Sequence, residues 1–243
     1  MEDSVLSILL SKGIHLRPNR MSRLLSAALF VSLAAGSAFA QSAVGGVGDP
    51  FKDTSMFKVP PGAKVAIIEW EDLECPACAH AFPIVHAAVA HYKIPLIRRD
   101  FQIPGHIWSH DASITARYLE DKVSPATAED YRRQVFASQY QIASKDDLHN
   151  FTTKFFQSHN LQMPFRVDPT GQFEKEVTAD RDLGNKMGLQ HTPTIIVVTP
   201  KSWVQVVDVS QLYSVIDAAL AQTASASSAK APVKKTAVAH KKS

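Results

Sequence analysis

Cysteine is scarce in this chain of 243 residues, which contains only Cys75 and Cys78. Because both belong to one C-x-x-C segment, none is left to form a conventional structural disulfide or the second C-x-x-C of a four-cysteine zinc site. The sequence also lacks a phosphate-binding loop, a dinucleotide fingerprint and a surface for reading nucleic-acid bases. These absences leave the cysteine pair as the feature with the clearest chemistry.

Acidic residues are missing from residues 223–243, which carry five lysines. Residues 41–222 have 17 basic and 21 acidic side chains, so the positive balance of the chain lies in this tail. The tail also lacks aromatic residues and apolar periodicity, and we therefore expect a disordered basic segment. Its lysines either keep the chain soluble or contact anionic lipids or cell-envelope polymers, and the sequence leaves both uses open.

Residues 21–40 form an apolar stretch that is short for a membrane span. A basic start, an apolar centre and small residues at its end are typical of a secretory signal peptide. We expect cleavage after Ala40, a mature chain that begins at Gln41, and Met21 as the initiator, with residues 1–20 outside the signal. Such export predicts a periplasmic or secreted protein, in a compartment where disulfides persist.

The cysteine pair follows a short β-branched apolar run, residues 65–68, which predicts a buried strand aimed at the cysteines. Pro76 occupies the first position of a segment with apolar residues at helical spacing, so Cys75 is predicted at a helix N-terminus. The free N–H groups and the positive end of the helix dipole favour a thiolate there. This predicts Cys75 as the exposed nucleophile and Cys78 as the buried resolving thiol.

Other uses of the cysteine pair stay open. A copper or zinc chaperone would combine the thiols with a histidine such as His80 or His106, and the i, i+4 spacing of His106 and His110 could direct both to one metal ion. The polar side of a helix is the simpler interpretation of the two histidines, and we expect no metal site. A structural disulfide would stabilise the chain weakly, because the loop it closes is short. A chaperone-like binder with a vestigial cysteine pair is a further alternative.

Four features together resemble the thioredoxin superfamily, and more closely the secreted DsbA-like thiol–disulfide oxidoreductases. They are the C-P-A-C motif itself, an acid six positions before its first cysteine (Glu69), a proline eight positions after it (Pro83), and a distal Thr192-Pro193 ahead of a strand. The resemblance extends loosely over residues 60–222.

The resemblance implies roles for residues outside the motif. Glu69 would be a buried acid beneath the disulfide that exchanges a proton with Cys78. The Thr192-Pro193 peptide bond would be cis and lie against the cysteine pair, where the backbone of Thr192 binds an extended client chain. The implied reaction is disulfide exchange with unfolded or reduced secreted proteins, without a cofactor, and a membrane quinone-linked thiol oxidase would recycle the enzyme. Reduction or isomerisation of disulfides is the same chemistry in another direction.

The implied fold is α/β, a thioredoxin fold with an inserted α-helical domain. We expect these segments: a leader and signal peptide at 1–40, a flexible segment at 41–63 with a possible edge strand at 56–59, a thioredoxin-like domain at 64–105 and 169–222, an inserted helical domain at 106–168, and the disordered tail at 223–243.

Local patterns predict the elements of these domains. Ser124 and Ser144 are predicted N-caps of helices, and Ser210 is the predicted cap of the last helix. The predicted spans are a strand at 94–102, a helix at 168–187, a strand at 194–198 with its hairpin partner at 203–209, and the last helix through 221. Large aromatic residues of the insert form either its core or a substrate groove, and the core is favoured: Trp108, Phe155, Phe156.

Residues around the motif are expected to tune its redox potential. The dipeptide between the cysteines is Pro76-Ala77, whereas the strong oxidants of the resembled family carry a histidine in the second position. Three acids, of which Glu74 is the closest in sequence, precede Cys75 and would repel a thiolate unless solvent screens them. We therefore expect a Cys75 pKa below that of a free thiol and an intermediate reduction potential.

Overall fold

The described part of the protein, residues 42–44, 46 and 48–228 of a computed structural model, is a five-stranded sheet with six α-helices. The elements are β1 Ser42–Val44, β2 Ala66–Glu71, α1 Pro76–Tyr92, β3 Leu96–Asp100, α2 Ser109–Lys122, α3 Pro125–Ser138, α4 Lys145–Ser158, α5 Gln172–Met187, β4 Thr194–Val198, β5 Trp203–Val206 and α6 Leu212–Ser228. No helix among these is both long and apolar enough to cross a membrane. The predicted leader and signal peptide lie outside the described residues.

The sheet is mixed, with the order β1-β5-β4-β2-β3. β2 pairs in parallel with β3 and antiparallel with β4, while β5 pairs antiparallel with β4 and in parallel with β1. All six residues of β2 are buried, because helices and the N-terminal segment cover its two faces. The buried strand that was predicted before the cysteines is therefore present, and it continues as far as Glu71.

The cysteines lie in the apolar cluster built mainly by α2, α3 and α4. Residues 72–75, between β2 and α1, form the redox loop. Cys75 and Cys78 share this cluster with Leu73 of the redox loop and with Phe82 of α1. The insert's large aromatics also belong to it and are at most 2% exposed: Trp108, Phe155, Phe156. The interpretation of these aromatics as core is confirmed.

The prediction of a flexible segment at 41–63 is wrong for its described part. β1 adds a parallel edge strand to β5, and Phe51 and Phe57 make edge-to-face contacts with Trp203 at 5.5 and 4.9 Å between ring centroids. The possible strand at 56–59 is absent, and these residues form the end of a turn followed by irregular backbone. The many glycines and prolines of the segment predicted flexibility, and the importance of its few large apolar residues, such as Phe51 and Phe57, was missed.

The start of α5 differs from the sequence prediction, because a side chain outside the helix caps it. α5 begins at Gln172 rather than at 168, after Gly171 in the left-handed region with φ 68°. The Asp168 carboxylate accepts the N–H of Gln172 at 2.9 Å and so caps the helix from outside. The predicted caps Ser124 and Ser144 are confirmed, since each hydroxyl accepts an N–H three residues later.

The C-terminal helix is longer than predicted. The Asp208 side chain, not Ser210, caps the turn that leads into it, by accepting the Ser210 N–H at 2.9 Å. A 3-10 helix at Val209–Gln211 then continues directly into α6, which runs to Ser228. Residues 223–228 are thus helical, against the prediction of disorder, and the rest of the tail lies outside the described residues.

Candidate active site

Cys75 is the N-cap residue of α1, with extended backbone, and Pro76 occupies the first helical position. This placement matches the sequence prediction. The expected exposure of Cys75 is wrong, because only 8% of the residue is accessible, compared with 1% of Cys78. Pro76 and Ala77 between them are exposed. Cys75 is therefore the more accessible of the two cysteines, although both are buried.

The surroundings of Cys75 favour its thiolate. A hydrogen bond from the Cys78 side chain is the largest influence, and it lowers the pKa of Cys75 to about 5 against the opposing effect of burial. The Thr192 side chain and the main-chain N–H groups of Cys78 and Ala77 also lower the pKa of Cys75. The N–H groups at the start of α1 thus contribute as the helix position predicts.

Cys78 has the opposite environment. Burial, followed by the neighbouring Cys75, raises the pKa of Cys78 well above that of a free thiol, and the charge of Glu71 adds to the shift. The main-chain N–H of Asp72 donates to Cys78 Sγ at 3.4 Å and opposes these effects. The two sulfurs are therefore strongly unequal, one a thiolate near neutral pH and the other a thiol.

The Thr192-Pro193 peptide bond is cis, as predicted. It immediately precedes β4, and Thr192 O lies 3.4 Å from Cys75 Sγ, which donates to it. The sheet and α1 thus bring together two segments that are 117 positions apart in sequence. Binding of a client chain by the backbone of Thr192 stays a prediction.

Asp49 holds the loop before the cis-proline and was missed from the sequence. Its carboxylate accepts from Gln190 N at 3.1 Å, from Thr194 Oγ1 at 3.2 Å and from Gln205 Nε2 at 2.9 Å. His191 Nε2 lies 3.4 Å from the same carboxylate. An Asp-Pro in a glycine-rich segment gives no local signal of this role, because all of its partners come from the other end of the chain.

Glu69 is buried in β2, 1% exposed, and its Oε2 has no hydrogen-bond partner among the residues that the structure describes. Burial, with a smaller effect of the charge on Glu71, raises the pKa of Glu69 to about 8. A carboxyl group with this pKa can accept or release a proton near neutral pH. The structure therefore gives Glu69 the burial that the predicted role requires, and the proton exchange with Cys78 stays a prediction.

A buried charge network surrounds Glu71 and was missed from the sequence. Arg132 Nη1 donates to Glu71 Oε1 at 2.7 Å and to Asp100 Oδ1 at 3.2 Å, and Arg98 Nε lies 3.0 Å from Glu71 Oε1. At the surface end, Arg98 Nη1 donates to Glu129 Oε2 at 2.9 Å. The sequence signal was the pair Arg98 and Arg99 within the predicted strand 94–102, because charged residues in a buried strand need partners.

The acids that precede Cys75 do not form a solvated loop. Glu71 and Asp72 are buried, 1% and 0% exposed. Glu74 is half-buried, and its Oε2 accepts the N–H groups of Trp108 and Ser109 at 2.8 and 3.0 Å, at the start of α2. The prediction missed this because the partners lie about 30 residues away in sequence, and these carboxylates anchor the redox loop to the insert.

Gln139 fixes the same loop from the other side and was also missed. Its Nε2 donates to Leu73 O at 2.8 Å and to Cys75 O at 3.0 Å. Gln139 begins the short 3-10 helix that follows α3. The start of the insert, through Trp108 and Ser109, and its middle, through Gln139, therefore both hold the main chain that carries Cys75.

The histidines considered as metal ligands have other partners. His106 precedes α2 rather than lying on it, so the expected i, i+4 placement with His110 on one helix is wrong. His106 Nδ1 lies 2.6 Å from Asp72 Oδ2, and His110 Nε2 lies 2.7 Å from Glu174 Oε2. Within the residues that the structure describes, no three His, Cys, Asp or Glu side chains group in a way that would hold a metal ion.

Known proteins resemble this chain in family and in fold. A family model described as Thioredoxin matches residues 53–218. The thiol-disulfide exchange protein alpha-DsbA2 from Wolbachia pipientis has a TM-score of 0.54 and 17% identity, over 66% of this chain and 84% of its own. BdbD from Bacillus subtilis in its oxidised form has a TM-score of 0.53 and 18% identity, over 68% and 90%. No curated protein sequence matches. The predicted α/β thioredoxin fold is confirmed.

Proposed function

Because the chain belongs to the thioredoxin family, we propose that it is an exported thiol–disulfide oxidoreductase that exchanges disulfides with secreted client proteins through Cys75 and Cys78. The observation that supports this most directly is the pairing of unequal sulfurs beside the cis-proline loop. Cys75 has a pKa lowered to about 5 and contacts Thr192 O, while the Cys78 pKa is raised. The similar alpha-DsbA2 is itself described as a thiol-disulfide exchange protein.

In the proposed oxidation, a client thiolate attacks Cys75 Sγ of the Cys75–Cys78 disulfide. The new bond joins the client to Cys75, and Cys78 leaves as a thiolate. A second client thiolate then attacks the client sulfur of this mixed disulfide and releases Cys75, so the client gains a disulfide and the enzyme gains two electrons. The stabilised Cys75 thiolate makes Cys75 a good leaving group in this second step.

The partners follow from this chemistry. Clients are unfolded or reduced exported proteins, whose extended chain would pair with the backbone of Thr192. The reduced enzyme needs an oxidant, and a membrane quinone-linked thiol oxidase is the proposed recycling partner. The signal-peptide pattern of residues 21–40 supports export, and cell fractionation with N-terminal sequencing would test for a chain that begins at Gln41.

The test is to mix the oxidised protein with a reduced peptide that contains two cysteines and to follow electron flow by mass spectrometry. We expect an intramolecular peptide disulfide and the reduced Cys75/Cys78 pair, and no reaction with Cys75→Ser. Cys78→Ser has no disulfide of its own and is therefore mixed with the disulfide form of the peptide. The Cys75 thiolate should attack that disulfide and accumulate as a mixed disulfide, with the other peptide sulfur leaving as a thiolate. Trapping through Cys78 in the reciprocal variant would overturn the assignment, and net reduction of the oxidised peptide in a glutathione redox buffer would favour the reductase alternative.

A further inference from the structure

Asp72 contacts both ends of the cysteine motif through its main chain. Its N–H donates to Cys78 Sγ at 3.4 Å, and its carbonyl oxygen accepts the Cys75 N–H at 3.0 Å. The residue lies between β2 and α1 and is 0% exposed. The buried sulfur of Cys78 therefore has a fixed N–H donor directed at it.

We infer that the main-chain N–H of Asp72 stabilises the Cys78 thiolate during disulfide exchange, and that the buried Asp72 carboxylate positions this N–H. The inference rests on the proposed function and deepens it, because it assigns a group that touches a reacting sulfur. In these terms the Asp72 N–H is catalytic, and the Asp72 side chain is a positioning group.

The Asp72 carboxylate has four hydrogen-bond partners, two on each oxygen. Oδ1 accepts from Glu74 N at 2.9 Å and from Ser109 Oγ through a short hydrogen bond. Oδ2 accepts from Ile103 N at 2.7 Å and lies 2.6 Å from His106 Nδ1. Three of these donors belong to residues 103–109, between β3 and the first turn of α2, so the start of the insert fixes the orientation of the Asp72 main chain.

The Asp72 donor acts against the surroundings of Cys78, which otherwise disfavour its thiolate. Burial, the neighbouring Cys75 and the charge of Glu71 all disfavour its thiolate, and the hydrogen bond from Asp72 is the opposing influence. In a site from which water is excluded, an N–H directed at a developing negative charge acts without reorganisation. The Asp72 N–H therefore does for sulfur what an oxyanion hole does for oxygen.

The step in which the donor acts is the breaking of the Cys75–Cys78 bond. When the client thiolate forms its bond to Cys75 Sγ, the electron pair of the broken bond goes to Cys78 Sγ, which accepts the hydrogen bond from Asp72 N. In the reverse step the Cys78 thiolate attacks Cys75 Sγ, and the client leaves as a thiolate. Stabilisation of the Cys78 thiolate thus favours passage in both directions.

A stopped-flow reaction of the reduced protein with Ellman's reagent separates the two cysteines. The first, bimolecular phase places thionitrobenzoate on Cys75, and the second, first-order phase releases it when the Cys78 thiolate attacks. We expect Asp72→Asn, which keeps the N–H but disturbs its position, to slow the second phase by up to about tenfold, because complete loss of a hydrogen bond to a charged group costs at least that factor. The first phase should change much less.

Asp147→Asn is the matched control. Asp147 likewise accepts hydrogen bonds that fix a helix start, since its Oδ2 accepts from Ala143 N and Ser144 Oγ at the start of α4. Because Asp147 is only partly buried, the variant should lower stability by less than Asp72→Asn does, and it should leave both phases at their normal rates. Equal slowing of the second phase by both variants would show that the effect is general loosening and would overturn the inference.

Removal of the N–H itself gives a second test, which is independent of the Asp72 side chain. Ligation at Cys75 can join a synthetic peptide covering residues 41–74 to a fragment that begins at Cys75, with an ester in place of the amide between Glu71 and Asp72. The ester protein should show the slow second phase, and its all-amide counterpart should not. A normal second phase in the ester protein overturns the inference. Because this reagent replaces the client, the result does not depend on whether client oxidation is observed.

Discussion

The two faces of strand β2 are equally buried and chemically unlike. Because side chains alternate along a strand, Ala66, Ile68 and Trp70 share one face, and Ile67, Glu69 and Glu71 share the other. The first set packs into an apolar cluster with Phe57 and Met187 and is at most 3% exposed. The second set consists of the apolar Ile67 followed by Glu69 and Glu71, and each glutamate is 1% exposed. Burial alone therefore does not determine which residues a strand carries.

The charged face also divides in two. Glu71 is matched by Arg132 and Arg98 at 2.7 and 3.0 Å, whereas Glu69 Oε2 has no hydrogen-bond partner. The matched acid adds fixed charge to the core, and the unmatched acid titrates near neutral pH, because its pKa is raised to about 8 mainly by burial. The apolar face stabilises the fold, and the charged face places Glu69, a carboxyl group with a raised pKa, beside the Glu71 ion pair.

Breaking the matched pair should give the largest effect. Arg132→Leu leaves the buried carboxylates of Glu71 and Asp100 short of a partner, and we expect it to lower the free energy of unfolding by about 3–5 kcal/mol. Arg133→Ala, next to it but with a side chain 62% exposed, should change the same quantity by less than about 1 kcal/mol. Urea denaturation measures both, and similar small losses would show that the network contributes little.

Creating a cavity on the apolar face should cost less and leave the chemistry intact. Ile68→Ala is expected to lower the free energy of unfolding by about 3 kcal/mol, since the side chain is 3% exposed within the apolar cluster. The rates of both phases with Ellman's reagent should stay unchanged, because the apolar face does not contact the cysteines. A slowed reaction in this variant would mean that the two faces are coupled.

Glu69→Gln should change how stability and rate depend on pH. Because the folded pKa of Glu69 is raised from 4.5 to about 8, the folded state keeps a proton that the unfolded chain has lost between these values. This part of the stability is complete below about pH 4.5 and is lost as pH rises to about 8. Glutamine removes the dependence, so the variant should match the parent at acid pH and exceed its stability above pH 8.

The kinetic consequence of Glu69→Gln tests the proton role. Resolution of a mixed disulfide should be slower in the variant and should lose the pH dependence that Glu69 imposes. The control is Gln102→Leu, which changes another buried polar residue, just beyond the end of β3. Asp100→Asn is unsuitable as a control, because Asp100 belongs to the ion network. An unchanged rate across pH in Glu69→Gln would contradict the role.

The smallest expected effect lies at the exposed position between the cysteines. Ala77→His places a positive partial charge near the Cys75 thiolate and should raise the reduction potential by about 20 mV, which corresponds to about 1 kcal/mol for two electrons. Ala77→Ser is the neutral control, and equilibration with glutathione measures both. We expect the parent to have an intermediate potential, and a parent that already matches the strong oxidants and does not respond to the histidine would refute this.

Local sequence was sufficient for the elements and for the centre of the site. The proline after Cys75 and the apolar spacing after it predicted the start of α1. The cis bond at Thr192-Pro193 was predicted from the family resemblance together with the place of the proline just before a strand. Hydroxyl caps at Ser124 and Ser144 followed equally local rules. These features depend on residues within a few positions of one another, which a single sequence displays.

Partners distant in sequence could not be predicted. The acids before Cys75 suggested a solvated loop, but Glu71 meets Arg132 across 61 positions and Glu74 meets the start of α2 across 34. Which carboxylate finds a cation and which stays alone, as Glu69 Oε2 does, depends on packing of the insert against the sheet. The same dependence hid Asp49 and the Asp72 contact with Cys78.

The bonds of Asp49 also set an order for the growing chain. Asp49 is among the first of the described residues to be synthesised, yet its partners Gln190, Thr194 and Gln205 lie 141 to 156 positions later. Contacts of such sequence separation form late, because the ends of a long loop must first meet. The cysteines therefore emerge from the ribosome well before Asp49 can form its hydrogen bonds to the cis-proline loop. A nascent chain that stops short of β5 carries both thiols but lacks the hydrogen bond between Gln205 and Asp49.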